Sequence, residues 1–316
     1  MAPFGSPALN IVLNAIIFVI AIAFLWKGSE YLVESASRIA EKFGISDLVI
    51  GLTVVAFGTS APEFAVTVNA ALKQQADISV GNIVGSNIFN LGFILGSVAI
   101  IKTIHTSKKL VYRDGIFMFC ITLLLLFFFR DYHLARYEGI ILMSMLAGYL
   151  IFLFIKREPL EAGEIHHETA TIKDALILPL SIASVVAGGH LLVESSSFIA
   201  RTAGISEWVI AVTIVAAGTS APEMATSLTA VLKGKHGMSA GNLIGSDLFN
   251  VLGVLGLAGI INPMTTTPEA FTSLFMLSGM VLIVIFFLRT GWKLTRIEGI
   301  ILVSIGIVRW IIDFMK

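Results

Sequence analysis

The chain has 316 residues, 56% of them hydrophobic and only 13% charged, with a mean hydropathy of +0.92. A soluble protein carries about 25% charged residues, so an aqueous globular domain is excluded and the sequence must be read against a bilayer. The formal net charge is zero, which leaves no basic field for nucleic acid, and the single cysteine, Cys120, rules out an internal disulfide.

Crossing the hydrocarbon core takes about 20 apolar residues, and such stretches follow one another along the chain. The first five are expected at Asn10–Val33, Asp47–Leu72, Ile78–Ile101, Val111–Phe129 and Tyr137–Ile155. The segment Met1–Pro7 has no basic residue ahead of the first stretch, which therefore reads as a spanning helix and not a cleaved signal. A polar linker from Lys156 to about Thr171 holds Glu158, Glu161, Glu164 and Glu168. Five more stretches follow at Ile172–Val193, Glu207–Leu232, Met238–Ile261, Ala270–Leu288 and Ile297–Phe314. The expected fold is all-α and integral to the membrane, with ten transmembrane helices. Its units are 1–156, a cytoplasmic linker 157–171, and 172–316.

The two units are one unit written twice. Gly28–Ile101 aligns without a gap onto Gly188–Ile261, a shift of 160 positions, and about half of the aligned residues are identical. The same shift carries Arg136–Leu142 onto Arg296–Leu302. Five spans are an odd number, so two similar halves in series must lie upside down relative to each other. Loop charges agree. Arg38, Lys42, Lys102, Lys108, Lys109, Arg113, Lys156, Arg157, Lys173, Lys233, Lys235, Arg289, Lys293 and Arg296 fall on one side, against Lys73, Arg130, Arg136, Arg201 and Lys316 on the other. The positive-inside rule makes the first side cytoplasmic and both termini extracytoplasmic. Inverted repeats of this kind are characteristic of secondary transporters, whose sites lie near the midplane.

The second span and its image both contain Gly-Thr-Ser-Ala-Pro-Glu, at Gly58–Glu63 and Gly218–Glu223. Gly58 and Pro62 break the helix and free carbonyls around Ala56–Thr59. The bland alternative is a Ser60-x-x-Glu63 capping box that restarts the helix. A carboxylate at this depth costs several kcal/mol unless paired or solvated, and its duplication at Glu223 favours function. Two carboxylates with carbonyls and hydroxyls make an oxygen-only set suited to Ca2+ or Na+, with no soft ligand for zinc or copper. In the third span and its image, Asn82, Ser86 and Asn90 share one helix face, as do Asn242, Ser246 and Asn250. Gly81, Gly85, Gly241 and Gly245 suit close helix packing. Asp247 stands where the first half has Asn87, either as a third carboxylate near the cavity or as an exposed residue at its edge.

The paired GTSxPE and GNxxGSNxxN segments, once per half, resemble the two alpha-repeats of the cation/calcium exchanger superfamily, and the chain is similar throughout to its compact prokaryotic sodium/calcium exchangers. That resemblance implies Ca2+ coordination by Glu63 and Glu223 with the carbonyls of Thr59 and Thr219. It implies Na+ sites drawn from Ala56, Ser60, Ser86 and Glu63, and from Ala216, Ser220, Ser246 and Glu223, with Asn90 and Asn250 lining the centre. It also implies three Na+ exchanged for one Ca2+, with the first and sixth spans sliding across a rigid core. Asparagine at position 250, where potassium-dependent members carry aspartate, implies independence from K+. The expected protein is a plasma-membrane antiporter, not an enzyme, with no cofactor. Its partners are the transported ions and the lipid bilayer, and a monomer suffices. A Ca2+/H+ antiporter and a cation channel are the alternatives.

Other polar residues read as structural. Glu34 and Glu194 end helices or pair with a neighbour such as Arg38, and Glu138 and Glu298 begin helices where the dipole favours a carboxylate. His166 and His167 belong to a solvated linker, and His190 replaces Glu30 across the repeat. Phe127–Phe129 are expected on the lipid-facing or interfacial surface.

Overall fold

A computed structural model describes residues 7–156, 170–206 and 210–314. The linker glutamates, His166 and His167 lie outside the described residues, as do Arg157, Glu207 and Lys316.

The first half is built from six helices. They are α1 (Pro7–Phe43), α2 (Asp47–Thr59), α3 (Ala61–Leu72), α4 (Ala76–Ile101), α5 (Leu110–Asp131) and α6 (Arg136–Lys156). The second half has α7 (Ile172–Thr202), α8 (Ala211–Val215 continuing as Ala216–Thr219), α9 (Ala221–Leu232), α10 (His236–Ile261), α11 (Pro268–Arg289) and α12 (Arg296–Phe314). Among the described residues, seven helices are long and apolar enough to cross a membrane, or eight if α2 and α3 count as one bent span. The chain is a multi-pass membrane protein.

The first span is longer than its apolar run predicts. α1 continues from Val33 to Phe43, where Glu34 pairs with Arg38 one turn on at 3.9 Å and Lys42 stands in the last turn, where the helix dipole favours a cation. The break between α2 and α3 falls at Ser60 and bends the span by 52°. Widened π turns also flank the site residues, where the sequence suggests regular helix. Gly51–Val55 and Ala211–Val215 precede the GTSAPE segments, and Asn90–Ile94 and Phe249–Leu255 begin at or beside Asn90 and Asn250. Of the expected surface phenylalanines only Phe127 is exposed; Phe128 and Phe129 are buried. Successive residues on a helix are turned by about 100°, so three in a row cannot share one face.

Glu138 and Glu298 serve helix starts. Each carboxylate accepts a backbone N–H three residues upstream, from Ala135 at 2.8 Å and Thr295 at 2.7 Å. Glu194 meets His190 of its own helix at 3.6 Å.

Contacts between the halves come in reciprocal pairs. The short strand β1 (Ile104–His105) pairs with β4 (Lys293–Leu294), and β2 (His133–Leu134) pairs with β3 (Met264–Thr265). Ile104 faces Leu294 and Leu134 faces Met264, so the 160-residue shift turns one clip into the other. Arg136 donates to Ile261 O and Arg296 to Ile101 O, both at 3.5 Å.

The two clips mark opposite ends of the molecule. Near β1 and β4 lie Lys102 on Leu232 O, the Lys235–Asp47 pair at 3.0 Å and the Arg38–Asp174 pair at 2.7 Å. This end is called the basic face below. The opposite face holds the second clip, with Thr266 N on Tyr132 O, Asn262 on Ala71 O and Thr267 N on Asp77. Between them, apolar side chains of α4, α5, α6, α10 and α11 form one core. α1 and α7 lie against each other outside it.

One buried polar cluster braces this scaffold. Asp114 is fully buried, binds Arg113 through both oxygens at 2.6 and 2.8 Å, and accepts the Tyr149 hydroxyl at 2.7 Å. Removing one partner of a buried pair leaves the other charge uncompensated, at about 3–5 kcal/mol. Asp114→Ala should therefore lower the thermal midpoint of the detergent-purified protein clearly, whereas Asp131→Ala, at the exposed end of α5, should not.

Candidate ion-binding site

The break at Ser60 brings the two GTSAPE segments together. Neither Ser60 nor Ser220 caps the helix that follows it, so the capping-box alternative does not describe this turn. Each serine instead crosses to the other half. Ser60 Oγ donates to Glu223 Oε1 at 3.2 Å and Ser220 Oγ to Glu63 Oε1 at 3.0 Å. The resemblance groups Ser60 with Glu63 and Ser220 with Glu223 as ion ligands, and the hydrogen bonds add a link from each serine to the glutamate of the other half. A two-fold relation between the halves places each serine beside the partner's glutamate. The carbonyl of Ala56 is also not freed as expected, since it accepts from Ser60 N at 3.1 Å.

The third span and its image supply the rest. Thr59 Oγ1 lies 3.2 Å from Asn242 Oδ1 and 3.4 Å from Ser246 Oγ. Asn82 and Asn242 face the restarted helices, donating to Thr67 and Ser227 at 2.9 Å each. Deeper in, Asn90 Nδ2 donates to Asp247 Oδ1 at 2.9 Å, Asn250 Nδ2 to Asn87 Oδ1 at 3.0 Å, and Asn87 Nδ2 to Asp247 O at 3.0 Å. Asp247 is fully buried, so the exposed-edge alternative is overturned. A widened turn at Phe249–Leu255 follows directly and contains Asn250. Asn87 is a member of the cluster that the four-residue face of Asn82, Ser86 and Asn90 leaves out, although it lies within the GNxxGSNxxN motif and is the repeat image of Asp247.

Five buried side-chain oxygens in this cluster have no hydrogen-bond partner among the described residues: Glu63 Oε2, Glu223 Oε2, Asp247 Oδ2, Asn90 Oδ1 and Asn250 Oδ1. All five are acceptors, and three belong to carboxylates. No ion pair with Lys, Arg or His is recorded for these carboxylates among the described residues. Buried acceptors left without donors are costly, and a hard cation is the ligand that satisfies only oxygens. Among the described residues, no group of three His, Cys, Asp or Glu side chains is close enough to hold a metal alone. The hydroxyl, amide and carbonyl oxygens are therefore integral to any such site.

The two sides of the cluster differ in access. Ala56, Thr59, Asn242 and Ser246 are sealed. Their images Ala216, Thr219, Asn82 and Ser86 all line a cavity of about 470 Å3. Its wall reaches Val66 and Ile78, toward the opposite face.

Residues 13–155 and 173–311 match the sequence profile of the sodium/calcium exchanger protein family. The chain belongs to that family. The match omits the linker and spans both halves of the exchanger. The sodium/calcium exchanger MaX1 of Methanosarcina acetivorans is 34% identical, over 92% of this chain and 96% of its own. The inner membrane protein YrbG of Escherichia coli is 30% identical, over 93% and 94%. Among solved structures, the sodium-calcium exchanger NCX_Mj superposes with a TM-score of 0.85 and 28% identity, covering 97% of this chain and all of that one. In this exchanger, Thr59, Ser60, Glu63, Ser220, Glu223, Asn242 and Ser246 converge from both halves, as do Asn87, Asn90, Asp247 and Asn250, while Thr219, Asn82 and Ser86 line the cavity.

Proposed function

We propose that this chain is a secondary antiporter that exchanges Ca2+ for Na+ by alternating access. The observation that carries this reading is the set of five partnerless buried oxygens, three of them from carboxylates, with no cationic side chain paired to them among the described residues. Such a set attracts Ca2+ or several Na+ in turn, and competition for shared oxygens is what couples their movement. Family membership and the match to MaX1 and NCX_Mj support the same ions.

In this reading Glu63 and Glu223 hold Ca2+ with the carbonyls of Thr59 and Thr219. Ser60, Ser86, Ser220, Ser246, Ala56 and Ala216 contribute oxygens for Na+, and Asn90, Asn250 and Asp247 line the centre. Units 1–156 and 172–316 form two inverted five-helix repeats, ten spans in all, joined by the linker 157–171. The reciprocal clips at opposite ends support that arrangement. The basic face is cytoplasmic, both termini are extracytoplasmic, and the sealed Thr59 side with the open Thr219 side corresponds to an outward-facing state in the plasma membrane. Exchange of three Na+ for one Ca2+ is electrogenic, needs no K+, and can be performed by a monomer.

Ca2+ flux in proteoliposomes tests the proposal. An imposed Na+ gradient should drive Ca2+ uptake, with a current whose sign follows the Na+ flux and no requirement for K+. Uptake that follows a proton gradient and ignores Na+ would overturn it, as would Ca2+ flux without a counter-ion. Asp247 gives a finer check. Asp247→Asn removes one carboxylate and leaves Glu63 and Glu223, so Ca2+ should still bind while the Na+ dependence of flux weakens about tenfold. Equal loss of both ions would assign Asp247 to the Ca2+ ligands instead.

A further inference from the structure

The 160-residue symmetry makes the places where it fails informative. The outer pair α1 and α7 is tied to the rest of the protein by side chains at the basic face. Lys233, in the turn between α9 and α10, hydrogen-bonds Glu34 of α1 and lies 3.9 Å from Glu30. Lys27 holds Glu30 at 2.7 Å. Ser29 of α1 shares a 2.8 Å hydrogen bond with Thr229 of α9, and Ser37 donates to Asp47 of α2 at 2.9 Å.

Among the described residues the images of the Lys233 and Ser29 ties are not made at the opposite face; the image of Ser37–Asp47 involves Glu207, which lies outside them. Lys73 and Glu194 correspond to Lys233 and Glu34, yet Glu194 meets His190 at 3.6 Å and no ion pair of Lys73 is recorded among the described residues. Glu30 is replaced by His190, and Ser29 and Thr229 by Gly189 and Asn69. The hydroxyl pair therefore cannot form at the opposite face, and a lysine there would meet one carboxylate instead of two.

We infer that Glu34, Glu30 and Lys233, with Ser29 and Thr229, form a polar latch that holds α1 and α7 against the core at the basic face. The latch stabilises the state in which that face is sealed. It opens when α1 and α7 slide, and Lys73 with Glu194 is its weaker counterpart in the alternate state. The inference rests on the alternating-access reading above and adds to it a built-in preference for one side. Exposed ion pairs are individually weak, so the bias is modest. A conformer ratio shifted by a few fold still changes apparent affinities in opposite senses at the two faces, because affinity scales with the fraction of competent protein.

The test compares wild type, Lys233→Gln, Glu34→Gln and the charge-exchanged pair Glu34→Lys with Lys233→Glu. Apparent KM for Ca2+ is measured from each face in oriented vesicles. Breaking the latch should lower the KM at the basic face about threefold and raise it at the opposite face, and the exchanged pair should restore both only in part, because its new carboxylate then faces Glu30. A second readout does not need transport. With Cys120→Ser as background, Val66→Cys in the cavity wall should react with a membrane-impermeant thiol reagent more slowly once the latch is broken. His190→Glu, which strengthens the counterpart, should slow it further. Unchanged labelling in Lys233→Gln and Glu34→Gln, or equal KM shifts at both faces, would overturn the latch while wild-type exchange stands. Absence of Na+-driven Ca2+ flux in wild type would remove the exchange proposal, and the labelling comparison would still decide the latch.

Discussion

Glu63→Gln and Glu223→Gln are each expected to abolish Ca2+ transport, by about two orders of magnitude or more, because ligand charge sets Ca2+ affinity over several decades. Each glutamate is fully buried and accepts from the serine of the other half, with its second oxygen left without a partner. Glutamine keeps the shape and one carbonyl oxygen but removes the charge. The stability effect should run the other way. An ionised side chain at mid-membrane costs about 2.5–3.5 kcal/mol on insertion scales, so both variants should be at least as stable as wild type when ions are absent. What they should lose is the stabilisation that Ca2+ confers by binding only the folded state. Thermal unfolding in detergent with and without Ca2+ measures both quantities. A variant that keeps its Ca2+-induced shift and normal flux would remove the two glutamates from the site.

Gly245→Leu should destabilise the fold clearly, whereas Gly85→Leu, at the equivalent position, should fold normally. A Cβ at Gly245 would lie 2.6 Å from Leu52 O and 2.7 Å from Leu52 Cα, with Ala56 Cβ at 2.9 Å. Backbone atoms cannot step aside, and overpacking of this kind costs about 1–3 kcal/mol or more. A Cβ at Gly85 would meet nothing within 4 Å, because Gly85 lines the open cavity. Monodisperse yield and thermal midpoint should separate the two variants. Transport should not, because in the proposed cycle Gly85 meets the image of Leu52 and Ala56 when the opposite face seals. Gly85→Leu is then a folded protein that binds Ca2+ and does not exchange it. Normal exchange by Gly85→Leu would argue that the halves do not trade conformations.

Family, helical membrane character and duplication are all legible in the amino-acid sequence, because each leaves a local mark there. A bilayer requires long apolar runs, and a gapless 160-residue shift needs no knowledge of packing. Glu63 and Glu223 stand out for the same reason, as carboxylates where hydropathy forbids them without a purpose. Helical periodicity places a residue on a face but does not say what that face meets. Thus spacing groups Ser60 with the glutamate three residues away, whereas it bonds the one 163 residues away. Asn87 lies within the GNxxGSNxxN motif but off the face of Asn82, Ser86 and Asn90, so spacing does not predict that it bonds both Asn250 and the backbone of Asp247.

The sequence by itself determined that two equivalent oxygen-rich arms exist and that they belong to one membrane protein of the exchanger family. Only the tertiary structure decided that the arms exchange partners, that Asp247 is buried among asparagines, and that Thr59 is sealed while Thr219 faces a cavity. The physical reason is that the two halves have nearly the same local preferences, yet in one packed structure one side of the cluster is sealed and the other lines a cavity. That asymmetry lies in packing, through contacts such as Glu34 with Lys233 that link residues nearly 200 positions apart.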